Sequence, residues 1–146
     1  MRWQLVQDVN VLSSFLLARA FVPGMLQAGS GRIVFFSSVF GYQPGPNQCA
    51  YASAKAAIGG LTRSLAFDLA EHGVTVNAVC PGLIWHEGLR GLWPEEDFAA
   101  LVEKIPSREP GKPEDIARTV EFLLGDGANY ITGSTIHVNG GMYMAP

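Results

Sequence analysis

Tyr51 and Lys55 stand four residues apart in the run YASAK. If that run is helical the two share a face, because positions i and i+4 are neighbours on a helix surface. A free phenol titrates near pH ~10 and transfers protons poorly at neutral pH. An ammonium about 4 Å away would stabilise the phenolate by roughly 4 kcal/mol at an effective dielectric of about 20, which suits the phenol for general acid–base catalysis. The same pair is common on ordinary helices, so alone it decides little. Ser38 is a third group, at the carboxyl end of the apolar run RIVFF. Ligands of open α/β sheets bind outside the carboxyl ends of the strands, so a hydroxyl there is placed to polarise a substrate oxygen. The plainer role is a serine that satisfies a turn. Asn10 is a fourth. Asparagine is a mediocre helix former, so within a helical run it is either idle and exposed or a buried amide holding a water that feeds protons to Lys55.

These side chains need elements to position them. Leu5, Val9, Leu12, Leu16 and Ala20 recur at helical spacing, which predicts a long amphipathic helix over 3–27, stopped near Pro23 and Gly29. RIVFF is continuous, β-branched and aromatic, as in a strand covered on both faces. Residues 41–50 carry Gly41, Pro44, Gly45, Pro46 and Asn47 and read as a loop. The next helix runs over 51–72 to its stop at Gly73, and VTVNAVCPG is a second buried strand. A short helix follows around Glu95 to Lys104, then a longer one in KPEDIARTVEFLLG with Pro113 in its first turn. STIHVNGG is the last strand. Strands alternating with helices imply an α/β fold: three parallel strands with helices on both faces, in one domain over 1–146. Three strands make about one half of a doubly wound, Rossmann-like nucleotide-binding sheet, so a truncated version of that fold is expected.

The totals agree with this and exclude other classes. The 146 residues are 48% hydrophobic and 16% charged, with net charge −3, enough for a real core. Mild acidity without a Lys/Arg cluster argues against nucleic acid as a partner. Cys49 and Cys80 form no C-x-x-C, so neither a metal site nor a disulfide framework is expected; two lone thiols suit a reducing cytoplasm. The N-terminal run MRWQLVQDVN lacks the pattern of a signal peptide, and no membrane-spanning stretch is expected.

Jointly the pieces are specific. DVNVLSSF around Asn10, GRIVFFSS ending in Ser38, and YASAKAAIGGLTRSLAFDLA carrying Tyr51 and Lys55 are followed by VTVNAVCPGLI, GKPEDIA and ITGSTIHVNGG. In order and spacing this resembles the short-chain dehydrogenase/reductase family along essentially the whole chain. The resemblance implies an oxidoreductase that interconverts an alcohol and a carbonyl with NAD or NADP. Tyr51 would exchange the proton with the substrate oxygen, and Ser38 would hydrogen-bond that oxygen. Lys55 would favour the phenolate and hold the nicotinamide ribose, and Asn10 would anchor the relay water. Pro81, Gly82 and Ile84 would pass the nicotinamide ring. The helices over 3–27 and 51–72 resemble the pair by which family members dimerise, so a homo-oligomer is expected.

The match departs from the family in two places. The Gly-rich T-G-x-x-x-G-x-G turn that lets backbone approach a pyrophosphate does not occur, so the chain looks like a C-terminal portion whose own NAD(P) affinity is poor. RIVFF would then be an unpaired edge, open to another chain. His86 occupies a position where the family often has threonine; it either donates a hydrogen bond to the cofactor amide or is an exposed loop residue. Two other functions compete. One is a cofactor-independent esterase or lactonase using Ser38 with a Tyr51–Lys55 base, although neither G-x-S-x-G nor S-x-x-K occurs. The other is a non-catalytic assembly subunit. Loop 39–50 and residues 85–110 should line the substrate pocket, where Phe40, Tyr42, Trp85, Leu89, Leu92 and Trp93 lean towards an apolar or aromatic substrate.

Overall fold

The computed structural model describes residues 3–89 and 94–145. Helix α1, Trp3–Ala28, leads into strand β1, Gly31–Phe36. Helix α2, Cys49–Leu69, extends by a tight turn to His72 and feeds strand β2, Val74–Pro81. The short helix α3, Glu95–Val102, helix α4, Pro113–Leu124, and strand β3, Thr135–Val138, complete the order. The expected elements are all present, with ends moved by a few residues.

The sheet is parallel, in the order β1-β2-β3. Side chains alternate across β2, which is buried along almost its whole length. Val74, Val76 and Ala78 join Phe35 and face α1 and α2 through Ala18, Ile58, Ala66 and Leu69. Val79 joins Val34, Ile136 and Val138 on the opposite face, where Ile116, Val120 and Leu123 of α4 cover it. A strand buried on both faces reads as an unbroken apolar run, which is why VTVNAVCP shows no polar alternation.

Two sequence expectations need correction. Pro23 does not end the first helix: it lies inside α1, which continues to Ala28 because Ala18, Val22 and Met25 pack on the sheet. Gly29 is the stop, with φ 63°, in the left-handed conformation that glycine adopts at least cost. Gly73 ends the α2 extension in the same way, with φ 73°. Strand β1 is covered on both faces, by Ala18, Ile58 and Ala66 against Phe35 and by α4 against Val34, while among the described residues it pairs only with β2 and its other edge is open, as expected. The second correction is that α1 is long and apolar enough, by length and composition alone, to cross a bilayer. Its polar residues Gln4, Gln7, Asp8 and Asn10 crowd the first turns and leave an apolar stretch behind them. In the fold that stretch is a packed helix on one side, while Phe15, Leu17 and Phe21 are exposed on the other.

The two thiols sit in opposite environments. Cys49 is exposed at the start of α2, whereas Cys80 is fully buried in β2 and burial pushes its thiol up to about 12. Thiolate is the reactive form. A chromogenic disulfide reagent at neutral pH is therefore expected to titrate Cys49 alone in the native chain, and Cys80 only after denaturation. Rapid reaction of both native thiols would contradict the burial of β2.

Candidate active site

The carboxyl ends of β1 and β2 lie side by side, because Phe36 pairs with Val79 and the Ser37 amide donates to the Val79 carbonyl at 2.8 Å. Ser37 and Ser38 leave the sheet there, both buried. The Ser38 hydroxyl oxygen accepts from the Phe40 amide at 3.3 Å and starts a tight turn over Val39–Gly41. Its proton is still available to donate. Ser38 thus satisfies its turn and also borders a cavity.

The turn is clamped to α2. Ser37 Oγ donates to the Lys55 carbonyl at 2.8 Å, and Lys55 Nζ donates back to the Phe36 carbonyl at 2.9 Å. Gly41 approaches so closely that a Cβ there would meet the Lys55 carbonyl carbon at 2.9 Å. Only glycine allows this contact without displacing backbone.

Tyr51 and Lys55 do share a face of α2, but the ammonium is not on the phenol oxygen. It lies over the aromatic ring, 5.5 Å from the centroid, a cation–π arrangement. Parallel ladders alternate their bonding direction, so Phe36 turns its carbonyl away from β2 towards the open edge. That otherwise unpartnered acceptor captures the ammonium. Burial holds the Lys55 pKa below its ordinary value.

Two separate cavities flank these residues. One, of about 690 Å³, is bordered by Ser38, Tyr51, Pro81, Gly82 and Ile84. Ile84 is held there by a short bridge to Gly111, with the Trp85 amide donating to the Gly111 carbonyl at 2.8 Å. The other, of about 430 Å³, runs between α1 and the open edge of β1 and is bordered by Asn10 and Lys55. The four expected catalytic positions therefore divide into two pairs, with the Lys55 side chain as the link. Asn10 lies in a widened turn of α1, Asp8–Leu12, a π-type irregularity that is frequent at functional sites. Its amide donates to the Val6 carbonyl at 2.9 Å, leaving its carbonyl oxygen as the free polar group.

His86 borders the larger cavity, as do Phe40 and Leu89. Two expected lining residues do not. Tyr42 turns the other way, donating to Thr135 Oγ1 at 3.2 Å and packing on His137 and Tyr143, while Trp85 packs on Phe98 with ring centroids 4.9 Å apart. Leu92 and Trp93 lie outside the described residues. Leu101 of α3 reaches the cavity from the expected segment 85–110, whereas the sequence reading missed Ile116 and Met142, which reach it from α4 and the C-terminal segment. Nothing local distinguishes them from core residues. Ser37 was legible as half of a serine pair, but its role as a clamp was not. Among the described residues no group of His, Cys, Asp and Glu could hold a metal ion.

Comparison with known proteins defines the class. Residues 1–143 match the family described as Enoyl-(Acyl carrier protein) reductase. The chain belongs to the short-chain dehydrogenase/reductase family. It is 45% identical over 139 residues to the 3-oxoacyl-(acyl-carrier-protein) reductase FabG of Rickettsia felis, covering 95% of this chain and 57% of that protein. The crystal structure of a 3-oxoacyl-(acyl-carrier protein) reductase from Brucella melitensis superposes with a TM-score of 0.93 at 39% identity, over 98% of this chain and 53% of that one. Another Brucella melitensis reductase, with bound NAD, gives 0.90 at 38% identity, over 98% of this chain and 52% of that one. The chain thus spans little more than half the length of these relatives.

The lowered Lys55 pKa has a measurable sign. Between its folded value and the ordinary lysine value the unfolded chain binds more protons, so this group makes stability rise with pH. Urea melts from neutral pH to about pH 10 are expected to show that rise, reduced in Lys55→Met. Equal slopes in both proteins would contradict the burial of the ammonium.

Proposed function

We propose that this chain carries the catalytic residues of an NAD(P)-dependent oxidoreductase that interconverts an alcohol and a carbonyl. The carrying observation is that Ser38 and Tyr51 border the same cavity as Pro81, Gly82 and Ile84. A substrate oxygen placed between Ser38 Oγ and the Tyr51 phenol accepts a hydrogen bond from each. Tyr51 donates its proton to that oxygen during reduction and takes it back during oxidation. Ser38 stabilises the charge that develops there. Lys55, above the Tyr51 ring, sets a positive charge against the phenol's face. Asn10, in the adjoining groove, holds water that returns protons towards Lys55.

The residues present fit the nicotinamide end of a dinucleotide, which when bound supplies or accepts hydride. Pro81, Gly82 and Ile84 form a largely apolar wall beside the two hydroxyls, and Lys55 would hold the ribose. The sequence contains no T-G-x-x-x-G-x-G turn to hold the pyrophosphate. A further nucleotide-binding segment, from the same protein or a partner, completes the cofactor site along the open side of β1. The names of the relatives make 3-oxoacyl thioesters the first substrates to try. The exposed and buried lone thiols fit a reducing, cytoplasmic setting.

With a 3-oxoacyl thioester and NADPH or NADH, followed by loss of reduced-cofactor absorbance, Tyr51→Phe is expected to lower kcat by about 10²- to 10⁴-fold. Undiminished turnover in that variant would remove the acid–base assignment. Calorimetric titration of the chain alone with NAD(P)H should give weak binding; tight stoichiometric binding contradicts the need for a further segment.

The exposed apolar faces of α1 and α2 support a homo-oligomer. Phe15, Leu17 and Phe21 on α1 and Phe67 on α2 are all exposed, Phe67 at 88%. Burying such side chains is worth about 1.5–3 kcal/mol each. Sedimentation is expected to show a dimer or larger, shifted towards monomer by Phe67→Asp; a wild-type monomer at micromolar concentration would exclude this face as an interface.

A further inference from the structure

Three aromatic rings join segments that lie far apart in the chain. Tyr42 follows the turn that Ser38 starts, His137 lies in β3, and Tyr143 lies in the C-terminal segment after it. Tyr42 stacks on Tyr143 with ring centroids 5.4 Å apart, and His137 meets the two rings at 5.2 and 5.1 Å. The Tyr42 hydroxyl also donates to Thr135 Oγ1, two residues before His137 and on the same face of β3. The C-terminal segment folds back through Asn139. Its amide donates to the Tyr143 carbonyl and its side-chain oxygen accepts from the Gly141 amide, both at 2.9 Å. That fold places Met142 on the wall of the Ser38–Tyr51 cavity.

The imidazole at the centre of this cluster is badly placed to carry a charge. Its Nδ1 is buried and, among the described residues, has no hydrogen-bond partner. The titratable groups that face it are the two phenols and, across the sheet, the Cys80 thiol of β2, which pairs with His137 in register. Phenols and thiols are uncharged near pH ~6. On α2, Arg63 Nη1 and the Tyr42 hydroxyl converge on Gly59, where a Cβ would meet them at 3.4 and 3.3 Å. The charge that α2 brings to the cluster is therefore positive. Among the described residues no carboxylate lies within ion-pair distance of His137. Burial holds its pKa below the ordinary histidine value. A second proton would create both a charge and a buried N–H without an acceptor, and each is costly away from water.

We propose that this cluster is a proton-operated latch, which holds the segment over 139–143 against β3 while His137 is neutral and releases it in mild acid. In the released state the imidazole meets water and takes its second proton at the ordinary pH. Between the closed and open values the open state binds more protons, so latching weakens as the pH falls below about 6.5 and is complete above it. Release withdraws Met142 from the cavity wall and removes the ring that backs Tyr42 behind the Ser38 turn. The latch involves none of the four candidate catalytic residues and operates whatever reaction the cavity serves.

Amide hydrogen exchange followed by NMR tests this directly. The Gly141 and Met142 amides are bonded to Asn139 in the closed segment, whereas the Ala78 amide, bonded to the Ser134 carbonyl, reports the sheet. Corrected for the intrinsic pH dependence of exchange, protection at Gly141 and Met142 is expected to fall about tenfold between about pH 7.5 and 5, with Ala78 unchanged. His137→Phe keeps a ring in the cluster and takes up no proton, so its protection should stay level over that range. His137→Asn, smaller and equally uncharged, carries the same expectation where the phenyl ring overpacks the site. Protection in wild type that is flat with pH, or a fall of equal size in both variants, would overturn the latch. So would a His137 imidazole that titrates at or above about 6.5.

Discussion

The site depends on a reciprocal clamp between the end of β1 and one turn of α2. Ser37 Oγ donates to the Lys55 carbonyl, and Lys55 Nζ donates to the Phe36 carbonyl. The Phe36 carbonyl is left without a strand partner at the open edge, and the Lys55 carbonyl, inside α2, takes Ser37 as an additional donor. Hydrogen bonds from a charged donor are worth about 1.5–3 kcal/mol net, more than neutral ones. The clamp ties the end of β1 to a helix that also packs on the sheet through Ile58, Ala66 and Leu69. The absence of a Cβ at Gly41 lets the turn approach the Lys55 backbone closely.

From that joint the other placements follow. With Lys55 held by the Phe36 carbonyl, its ammonium lies above the Tyr51 ring, and both residues face the carboxyl rim of the sheet. The next residue after Ser37 is Ser38, whose own turn brings Phe40 round to wall the cavity. β2 arrives beside β1 in parallel register and ends at Pro81, so the segment over 82–84 passes the same rim. The candidate site is therefore assembled from three separate stretches by strand pairing and one helix contact.

The open edge of β1 is the other organising feature. It leaves a carbonyl free to hold Lys55 and exposes an apolar groove bordered by Asn10. An unpaired, partly apolar edge is a liability in an isolated chain. The same edge is where a further segment would pair, and pairing there would compete with or reshape the lysine contact. The candidate site and the open edge of β1 are linked through one carbonyl group.

Much of this was legible in the sequence because it is written in local patterns. The i, i+4 spacing of Tyr51 and Lys55, the unbroken apolar run of β2 and the glycines at 29 and 73 each specify backbone geometry within a few residues. Pro23 misled for the same reason: a local breaker was overridden by packing of Ala18, Val22 and Met25. What only the tertiary structure decided are contacts between residues far apart in the chain. Leu101 and Met142 reach the cavity, Tyr42 leaves it for Thr135, and the Lys55 ammonium chooses a strand carbonyl over the phenol. Sequence spacing sets which groups can share a face; which partner each finally meets is set by strand register and by where an unsatisfied acceptor lies.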